Sequence, residues 1–560
     1  MRSRLARLRG LVHRYRVDRR LPPQVFALYR TVLALRLRTL IVTTARGLRR
    51  PPMSRSGVVP TVSFADQGAS RVRSAGALDV PLSALTHRFA ERVVHSLQAW
   101  TLDPFVVDRR ADSVVIGIDV AQRTNALRAL VAELREPGWY LDWSDGHRTG
   151  TVAVGSALGR RSVEHAREWR VYQVHSWGDR SIGQEQATVV TFWDLGTSGQ
   201  LELVGTRGHE RFDARSPSTV EVIEGRRYPG RTAFPIGSSL QHLNAPVDLV
   251  YTWVDGSDLD WQRHFSDTAL QFGREVGEVA LDPARYRSRD ELRYSLRSVW
   301  AFCGWVRRIH IVTAGQVPAW LTTDDRVRIV DHSEILPADA LPTFNSHAME
   351  SSLHRIDGLA EHFVYFNDDM LVGRSIRPET FFTPNGLARV FQSGARVPGV
   401  EDERTLAVDT AARRGRELLD ERFGRVVVDK PLHSPYPLRR SVMEEIELQF
   451  PEIVERTAHS RFRSPTDLSI AASFAQHYAL ATGKAVLGDI ATEYVHVESG
   501  RLAWHLDRIR LGRDLDTFCI NETSDMGGDV ERREQMIADF FEEYFPVPAP
   551  WENDRGRGAT

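Results

Sequence analysis

Cysteine is almost absent from this sequence of 560 residues, and long apolar runs are absent altogether. The two cysteines, Cys303 and Cys519, cannot build a disulfide framework or a cysteine-only zinc site, so we expect a protein kept in a reducing compartment. No run of about 20 apolar residues occurs, and the sequence therefore predicts no transmembrane helix. No signal peptide with a clean apolar centre is visible either, so we expect a cytoplasmic protein.

An excess of charge is also missing, because 73 Lys and Arg residues balance 73 Asp and Glu residues. A protein built only to coat nucleic acid is normally basic overall, so we expect no nucleic-acid partner. Hydrophobic residues make up 42% of the chain and charged residues 26%, as in globular proteins. The length is too great for one ordinary core and predicts two or three domains.

Residues 1–50 depart from this balance, with 14 arginines and one acid, Asp18. Leucines and valines recur among the arginines at helical spacing, which predicts a basic amphipathic arm. One interpretation is that the arm lies on an anionic membrane surface, at the inner face of the cell membrane. The alternatives are a basic helix packed on its own protein and a disordered tail. Residues 51–79 are interpreted as a linker.

Residues 80–240 are interpreted as an N-terminal accessory α/β domain. Residues 113–120 (SVVIGIDV) predict a strand, residues 122–134 have helical spacing, and residues 139–143 are strand-like again. No combination of catalytic residue types occurs here, so the sequence does not indicate a role for the region.

Residues 241–540 predict a catalytic α/β domain, a Rossmann-like parallel sheet with helical additions. Four short apolar segments, each ending in polar residues, alternate with helical patterns and cover residues 247–258, 308–316, 327–335 and 362–370. Strands that alternate with helices form parallel sheets, whose ligands bind beyond the carboxyl ends of the strands. Residues 391–430 are interpreted as an insertion, and residues 541–560 as a flexible tail.

Carboxylates follow two of these predicted strands. Asp368 and Asp369 come directly after an apolar strand, where paired carboxylates suit a Mg²⁺ or Mn²⁺ ion shared with substrate phosphates. Asp255 and Asp258 follow the first strand and would lie at the same rim if the strands are neighbours. The alternative for the first pair is a solvated turn, and for Asp255 a tight turn with Gly256 at positive φ.

Two arginines share one face of a predicted helix. Arg293 and Arg297 are four residues apart, after a capping box predicted from Ser288 to Glu291. Because the N-terminal end of a helix favours anions, two guanidinium groups there suit a diphosphate. The alternative is that Arg293 pairs with an acid of its own helix.

Histidines and an amide supply further candidates. His347, Glu350 and His354 form one helical stripe, where a zinc site lacks a third ligand and acceptor binding through hydrogen bonds is favoured. Asn345 lies in a polar segment that suits sugar hydroxyls or merely caps the helix. His433 is held in a stiff loop, HSPYP, and could act as a general acid or base.

Four stretches of the chain resemble the conserved regions of the Stealth family. These proteins are hexose-1-phosphotransferases and include bacterial capsule and exopolysaccharide enzymes and the animal N-acetylglucosamine-1-phosphotransferase. The fourth region commonly reads Cys-Ile-Asn-Asp, and here Glu522 takes the last position. The matching stretches are DLVYTWVDGSD (248–258), RDELRYSLRSV through HFVYFNDDM (289–370), HSPYPLRRSV with RFRSPTD (433–442 and 461–467) and CINET (519–523).

The resemblance implies transfer of a sugar-1-phosphate from a nucleotide-diphosphate sugar, with UDP-N-acetylhexosamine as the expected donor, to a hydroxyl of an acceptor glycan. A nucleoside monophosphate would leave, and the product would belong to exopolysaccharide or capsule synthesis. On this hypothesis His433 or Asp369 takes the proton of the attacking hydroxyl. The competing functions are a conventional metal-dependent glycosyltransferase and a non-catalytic glycan-binding protein.

The same hypothesis assigns the remaining residues to three roles. Mg²⁺ or Mn²⁺ is held by Asp368 and Asp369 together with Asn521. Catalysis is assigned to Asp369, His433 and Asp255. Donor and phosphate binding is assigned to Arg293, Arg297, Arg463, Asp258, Asn345 and His347.

Overall fold

A computed structural model describes the chain from residue 74 to residue 553, with gaps. The gaps are residues 77, 79, 111, 179, 196–199, 205–210, 214–215, 238, 273–285, 287, 398–406 and 523–528. The predicted arm (1–50) and nearly all of the predicted linker (51–79) lie outside the described residues. Among the described residues, 74–502 and 514–553 belong to one compact unit, and residues 503–513 are assigned to another.

The described residues form 13 α-helices, which are numbered here in chain order. They are α1 (Leu82–Ala99), α2 (Arg123–Glu133), α3 (Arg161–Glu164), α4 (Leu259–Phe272), α5 (Glu291–Phe302), α6 (His332–Ile335), α7 (Ser346–Glu350), α8 (Ala407–Phe423), α9 (Arg440–Gln449), α10 (Pro451–Ala458), α11 (Ala475–Ala481), α12 (Leu502–Gly512) and α13 (Val530–Tyr544). A π-helical turn, Ile470–Phe474, leads into α11.

The described strands are numbered in the same way. They are β1 (Phe105–Arg109), β2 (Val114–Asp119), β3 (Trp139–Ser144), β4 (Thr149–Ala153), β5 (Glu168–Gln173), β6 (His175–Trp177), β7 (Arg180–Ile182), β8 (Thr188–Leu195), β9 (Gln200–Leu203), β10 (Arg211–Asp213), β11 (Ser218–Ile223), β12 (Arg226–Arg231), β13 (Val247–Thr252), β14 (Val306–Thr313), β15 (Val327–Asp331), β16 (His362–Asn367), β17 (Met370–Val372), β18 (Ala388–Arg396), β19 (Asp429–Pro431), β20 (Tyr436–Arg439), β21 (Ala485–Gly488), β22 (Thr492–His496) and β23 (Thr517–Asn521).

The N-terminal region contains a mixed sheet in the order β1-β2-β8-β5-β3-β4, with β9 and β10 added beside β8. Of its pairs, β2 with β8 is parallel and the others are antiparallel. The predicted strand, helix and strand correspond to β2, α2 and β3. Helix α1 buries one apolar face, which includes Leu85, Phe89, Val93 and Leu97. This α/β region agrees with the sequence prediction.

A second sheet has the order β15-β14-β13-β16-β20. The four strands from β15 to β16 are parallel, whereas β20 runs antiparallel at the edge. Every residue of β13 is buried, as expected for a central parallel strand covered on both faces. The predicted parallel sheet is therefore confirmed, although the sequence did not predict its antiparallel edge.

Asp248 links neighbouring strands of this sheet at the amino end of β13. Its fully buried carboxylate accepts hydrogen bonds from Arg307 Nε (2.8 Å) and the Ala360 backbone amide (2.9 Å), and it lies 3.3 Å from His310 Nε2. Burial alone would raise the pKa of Asp248, but these bonds lower it to about 2. The buried charge is thus paired, and it ties β13 to β14 and to the segment that precedes β16.

The outer parts of the domain bear on two predictions. At the predicted insertion (391–430), β18 pairs in parallel with β21 at residues 388–391 and in antiparallel fashion with β19 at Gln392 and Arg396, and the insertion itself stays a prediction. The tail predicted from residue 541 is ordered up to residue 553. Helix α13 ends at Tyr544, and Phe545 and Trp551 are buried. In the described part of the chain, no helix combines the length and the apolar character needed to span a membrane.

Candidate active site

The carboxyl ends of the parallel strands bring the predicted polar clusters to one edge. Thr252, at the end of β13, pairs with Asn367 of β16 and with Val312 of β14. The segments that follow these residues therefore begin side by side. Gln316, after β14, accepts a hydrogen bond from the Asp255 amide (3.0 Å) and donates one to its carbonyl (2.9 Å). Two loops are thus joined at the edge where a ligand is expected.

Asp369 is the centre of the acidic cluster that follows β16. Its side chain is only 7% exposed, and its Oδ2 accepts hydrogen bonds from Asn521 Nδ2 and from Cys519 Sγ (3.2 Å). Both donors come from β23, which pairs with β17 so that Met370 faces Cys519. The predicted meeting of Asp369 and Asn521 is observed, and the other carboxylate oxygen, Oδ1, has no hydrogen-bond partner within the described residues.

His433 faces this free oxygen. Its Nε2 lies 4.0 Å from Asp369 Oδ1, and its Nδ1 is hydrogen-bonded to the Tyr436 hydroxyl at 3.2 Å. The ring also packs edge-on against Tyr494, with 5.2 Å between ring centroids. Burial lowers the pKa of His433, and the charge of Asp369 only partly opposes that shift. Burial therefore favours the neutral imidazole, whose Nε2 is the ring nitrogen nearer to Asp369 Oδ1.

Two further carboxylates crowd the site. Burial raises the pKa of Asp368 well above its usual range, and the charges of Asp369 and Glu291 raise it further. Burial likewise raises the pKa of Glu291 to about 7, against the opposing influence of Arg289. Arg289 also forms an ion pair with Glu522, so Glu522 does take part in this cluster.

A hard divalent cation fits this donor set. Asp369 Oδ1 is buried without a hydrogen-bond partner among the described residues, and the pKa of Asp368 is raised by burial and then by the neighbouring charges of Asp369 and Glu291. Carboxylate and amide oxygens are the ligands that Mg²⁺ and Mn²⁺ prefer. Asp368, Asp369 and Asn521 supply such oxygens.

Glu350 and Arg463 form a second charged pair near the site. Burial raises the pKa of Glu350, and the charges of His347 and Arg463 oppose that rise. Arg463 Nη2 donates to Ser346 Oγ at 2.8 Å. Burial raises the pKa of Tyr436, and the charges of both Glu350 and Asp369 raise it further.

The two helix arginines do not lie where the phosphate-binding hypothesis requires. Arg293 Nε and Arg297 Nε each donate to the buried carboxylate of Glu552, both at 2.7 Å, and Arg297 Nη1 donates to the Phe545 carbonyl at 2.9 Å. They face the C-terminal segment, whereas Glu291, on the first turn of the same helix, faces Asp369. The structure gives Arg293 and Arg297 a role in packing. The predicted capping box is also wrong, because α5 begins at Glu291 and the Asp290 side chain makes no capping bond.

Asp255 and Asp258 organise the loop after β13. Asp255 Oδ1 accepts from the Ser257 amide (2.8 Å) and hydroxyl (2.6 Å), and Asp258 Oδ1 accepts from the amides of Asp260 and Trp261 (2.9 Å each) at the start of α4. Gly256 is not at positive φ. Glycine is needed there because a Cβ would lie 2.3 Å from the Tyr286 carbonyl oxygen. One oxygen of each carboxylate is therefore engaged in shaping the loop itself.

Asn345 and His347 also hold local structure. Asn345 Oδ1 accepts from the His347 amide at 3.1 Å and caps α7, while its Nδ2 donates to Asp467 Oδ2 at 2.8 Å. His347 Nδ1 lies 3.4 Å from the same Asp467 oxygen. These contacts match the capping alternative and fix the segment that carries Glu350.

Sequence reasoning did not assign Glu291, Cys519 or Tyr436 to the site. Glu291 was interpreted only as part of a cap and Tyr436 only as a stiff-loop residue. The one available signal was proximity in sequence to residues that were assigned, since Cys519 precedes Asn521 by two positions and Tyr436 follows His433 by three.

Comparison with known proteins gives four family-model matches. They are the Stealth conserved regions 1 (residues 245–264), 2 (residues 285–390), 3 (residues 432–480) and 4 (residues 507–559). All four residues of the central geometry, Asp369, His433, Cys519 and Asn521, lie inside these regions.

Similar curated proteins are named exopolysaccharide phosphotransferases. One from Streptomyces coelicolor is 49% identical over 501 residues, which cover 84% of this chain and 91% of that protein. A second from the same organism is 40% identical over 482 residues, 82% of this chain and 81% of that protein. CpsY of Mycobacterium tuberculosis is 42% identical over 311 residues, 55% of this chain and 58% of that protein.

Proposed function

From the premise that this chain belongs to the Stealth family and is a transferase of phosphorus-containing groups, we propose that it transfers a sugar-1-phosphate from a nucleotide-diphosphate sugar to a glycan hydroxyl. The donor is a UDP-N-acetylhexosamine, and the phosphodiester product belongs to exopolysaccharide or capsule synthesis. The observation that carries the proposal is the facing pair of His433 Nε2 and Asp369 Oδ1, 4.0 Å apart beside crowded carboxylates.

His433 takes the proton of the attacking hydroxyl. In this role Nδ1 carries the ring proton and donates it to the Tyr436 hydroxyl oxygen, so the lone pair of the neutral imidazole lies at Nε2. Asp369 is less suited to this task, because Cys519 and Asn521 both donate to its Oδ2. We therefore assign the general base to His433.

The bond changes in this reaction are simple. The acceptor oxygen attacks the phosphorus that carries the sugar, while its proton passes to His433 Nε2. The bond from that phosphorus to the bridging oxygen of the diphosphate breaks, and a nucleoside monophosphate leaves with the electron pair. Such transfers depend mainly on positioning and on neutralising charge.

Asp368, Asp369 and Asn521 would hold Mg²⁺ or Mn²⁺, which when bound supplies positive charge for the diphosphate. Arg463 is the remaining candidate for phosphate among the predicted arginines, since Arg293 and Arg297 are paired with Glu552. Arg463 is half-buried beside Ser346 and near Glu350. Its guanidinium suits a phosphate oxygen better than the fully paired arginines do.

The identity of the released nucleotide tests the proposal. We would incubate the full chain with a panel of nucleotide sugars, a glycan acceptor and Mg²⁺ or Mn²⁺. Release of a nucleoside monophosphate with formation of a phosphodiester is expected. Release of a nucleoside diphosphate would show instead that the enzyme cleaves the sugar–oxygen bond, as a conventional glycosyltransferase does.

A matched pair of histidine variants links the assay to the site. His433→Asn should reduce turnover by about a hundredfold or more, the usual contribution of a general base. His165→Asn, which changes an exposed histidine of the N-terminal region, should have no effect. Equal activity of the two variants would reject His433 as the base.

A further inference from the structure

Three chemically different metal-binding groups meet at the acidic cluster. One ligand atom each from Asp369, His433 and Cys519 lies within 4.8 Å of the other two. Cys519 Sγ is 3.2 Å from Asp369 Oδ2, and His433 Nε2 is 4.0 Å from Asp369 Oδ1. Oxygen, nitrogen and sulfur donors thus surround one small volume.

Two ligand atoms in this cluster have no hydrogen-bond partner among the described residues. Asp369 Oδ1 and His433 Nε2 are buried and make no hydrogen bond to any described residue. Asp369 is 93% buried, so an unsatisfied oxygen there is costly. A cation between the carboxylate and the imidazole would satisfy both atoms at once.

The donor types select the kind of ion. Mg²⁺ prefers oxygen ligands in an octahedral arrangement, whereas Zn²⁺ accepts nitrogen and sulfur in a tetrahedral one. With Zn²⁺ about 2.0 to 2.3 Å from each ligand, the three atoms would stand roughly 3.3 to 3.7 Å apart. The three ligand atoms would reach that arrangement with side-chain shifts of about 1 Å. Three protein ligands would leave the fourth coordination position open, as is typical of non-structural zinc sites.

We propose that Asp369, His433 and Cys519 form a zinc-binding site, and that Zn²⁺ bound there inhibits the enzyme. Cys519 binds as the thiolate, and its proton passes to solvent. Zinc takes the Asp369 carboxylate away from Mg²⁺ and covers the nitrogen that accepts the substrate proton. The inhibition rests on the proposed function, whereas the binding does not.

Cobalt absorption tests the binding directly. Co²⁺ occupies zinc sites, and its bond to a thiolate gives a charge-transfer band in the near ultraviolet. The chain has only two cysteines, so each can be tested separately. The wild type and Cys303→Ser should both show the band on titration with Co²⁺, and Cys519→Ser should not. His433→Asn should weaken Co²⁺ binding at least about tenfold, the minimum effect expected when a group that supports a metal is lost.

No band in the wild type would overturn the site, and so would a band that survives in Cys519→Ser and disappears in Cys303→Ser. If Cys519→Ser does not fold, X-ray absorption of the zinc-loaded wild type gives the answer. One sulfur neighbour at about 2.3 Å is expected, and a shell of oxygen and nitrogen only would exclude the thiolate.

The inhibition has its own readout. Zn²⁺ should lower nucleotide release, and added Mg²⁺ should restore it. Release that is unchanged when cobalt or absorption data show the site to be full would overturn the inhibition. If no donor is turned over at all, the proposed function fails, but the binding measurements still decide whether the zinc site exists.

Discussion

Asp369 Oδ1 and His433 Nε2 face each other across 4.0 Å, and no other group in the described part of the chain bonds to either atom. Each side chain is held in place through its other polar atom. Asn521 and Cys519 bond to Asp369 Oδ2, and the Tyr436 hydroxyl bonds to His433 Nδ1. The gap is too wide for a direct hydrogen bond, and it suits a hydroxyl that donates to the nitrogen. The two residues therefore form a preorganised site that can bind the attacking hydroxyl between Asp369 Oδ1 and His433 Nε2.

The first prediction concerns Asp369→Asn. This change should lower the turnover of the phosphotransfer assay by on the order of a hundredfold or more, because one charged group that stabilises the transition state is lost. The free energy of unfolding should not fall, since removing one charge relieves the repulsion that raises the pKa of Asp368. Both quantities are measurable on the same purified protein.

Asp420→Asn is the control for this variant, because Asp420 is exposed on α8. It should match the wild type in turnover and in stability. A fully active Asp369→Asn protein would refute the assignment of Asp369 to the reaction.

The parallel strands that place Asp369 were predictable from the sequence. Strands β13 and β16 and the second half of β14 are short, mainly apolar runs, which is how a strand buried on both faces appears. The polar residues that follow each run then necessarily lie at one edge. That reasoning placed the segments after β13 and β16 at the same edge, as the pairing of Thr252 with Asn367 confirms.

The partners of individual side chains were not predictable in this way. Arg293 and Arg297 share a helix face with an apparent anion site, but their counter-ion, Glu552, lies more than 250 positions later in a segment interpreted as flexible. Helical periodicity indicates which residues share a face, and it contains no information about what covers that face. The same limit applies to Glu291, whose burial depends on packing against residues distant in sequence.

A second prediction follows from the buried arginines. Arg297→Met should lower the free energy of unfolding by about 3 kcal/mol, because it removes a buried partner of Glu552. The Michaelis constant for the nucleotide sugar should stay unchanged at temperatures where the variant is folded. Chemical denaturation and steady-state kinetics test the two parts.

Arg440→Met provides the matched control. Arg440 pairs with Glu444 one helical turn away, and both side chains are 45% exposed, so the cost should stay below about 1 kcal/mol. If Arg297→Met kept its stability and raised the Michaelis constant for the donor, the original phosphate-binding interpretation would be restored.

The third prediction concerns pH and Mg²⁺. Burial raises the pKa of Glu291 to about 7, so ionisation favours the unfolded chain. The stability present below the ordinary glutamate pKa should therefore be lost as the pH rises through 7, by on the order of 3 kcal/mol without metal. Mg²⁺ should raise the melting temperature more at pH 8 than at pH 6, because it compensates the carboxylates only where they are ionised.

Thermal denaturation with Mg²⁺ and with a chelator, at both pH values, measures this effect. Glu291→Gln should flatten the pH dependence, while Glu452→Gln, at an exposed position on α10, should preserve it. A Mg²⁺ effect of the same size at both pH values would contradict the assignment of the charge to Glu291 and its neighbours.

The fourth prediction concerns Tyr436 as a positioning residue for His433. Tyr436→Phe removes the hydroxyl that engages Nδ1 and should lower kcat roughly tenfold with an unchanged Michaelis constant, because fewer molecules hold Nε2 as the base. Since burial lowers the pKa of His433, the acidic limb of the wild-type rate profile should lie below about pH 6.5.

Another Tyr–His pair serves as its control. Tyr228 bonds to His87 Nδ1 at 2.7 Å in the N-terminal region, and Tyr228→Phe should leave kcat and the rate profile as they are. A rise in the Michaelis constant without a change in kcat for Tyr436→Phe would indicate that the hydroxyl contacts substrate instead.

The fifth prediction concerns residues 1–50, where 14 arginines meet a single acid. We propose that this segment attaches the enzyme to anionic lipid at the inner face of the cell membrane, where each basic residue near the surface adds about 1 kcal/mol. The full chain should sediment with vesicles that contain anionic lipid and not with neutral vesicles, and raised salt should release it. A chain lacking residues 1–50 should stay in the supernatant while keeping its nucleotide-releasing activity. Because salt screens surface charge but not apolar insertion, binding that resists salt would mean that the leucines and valines of the segment, rather than its arginines, make the attachment.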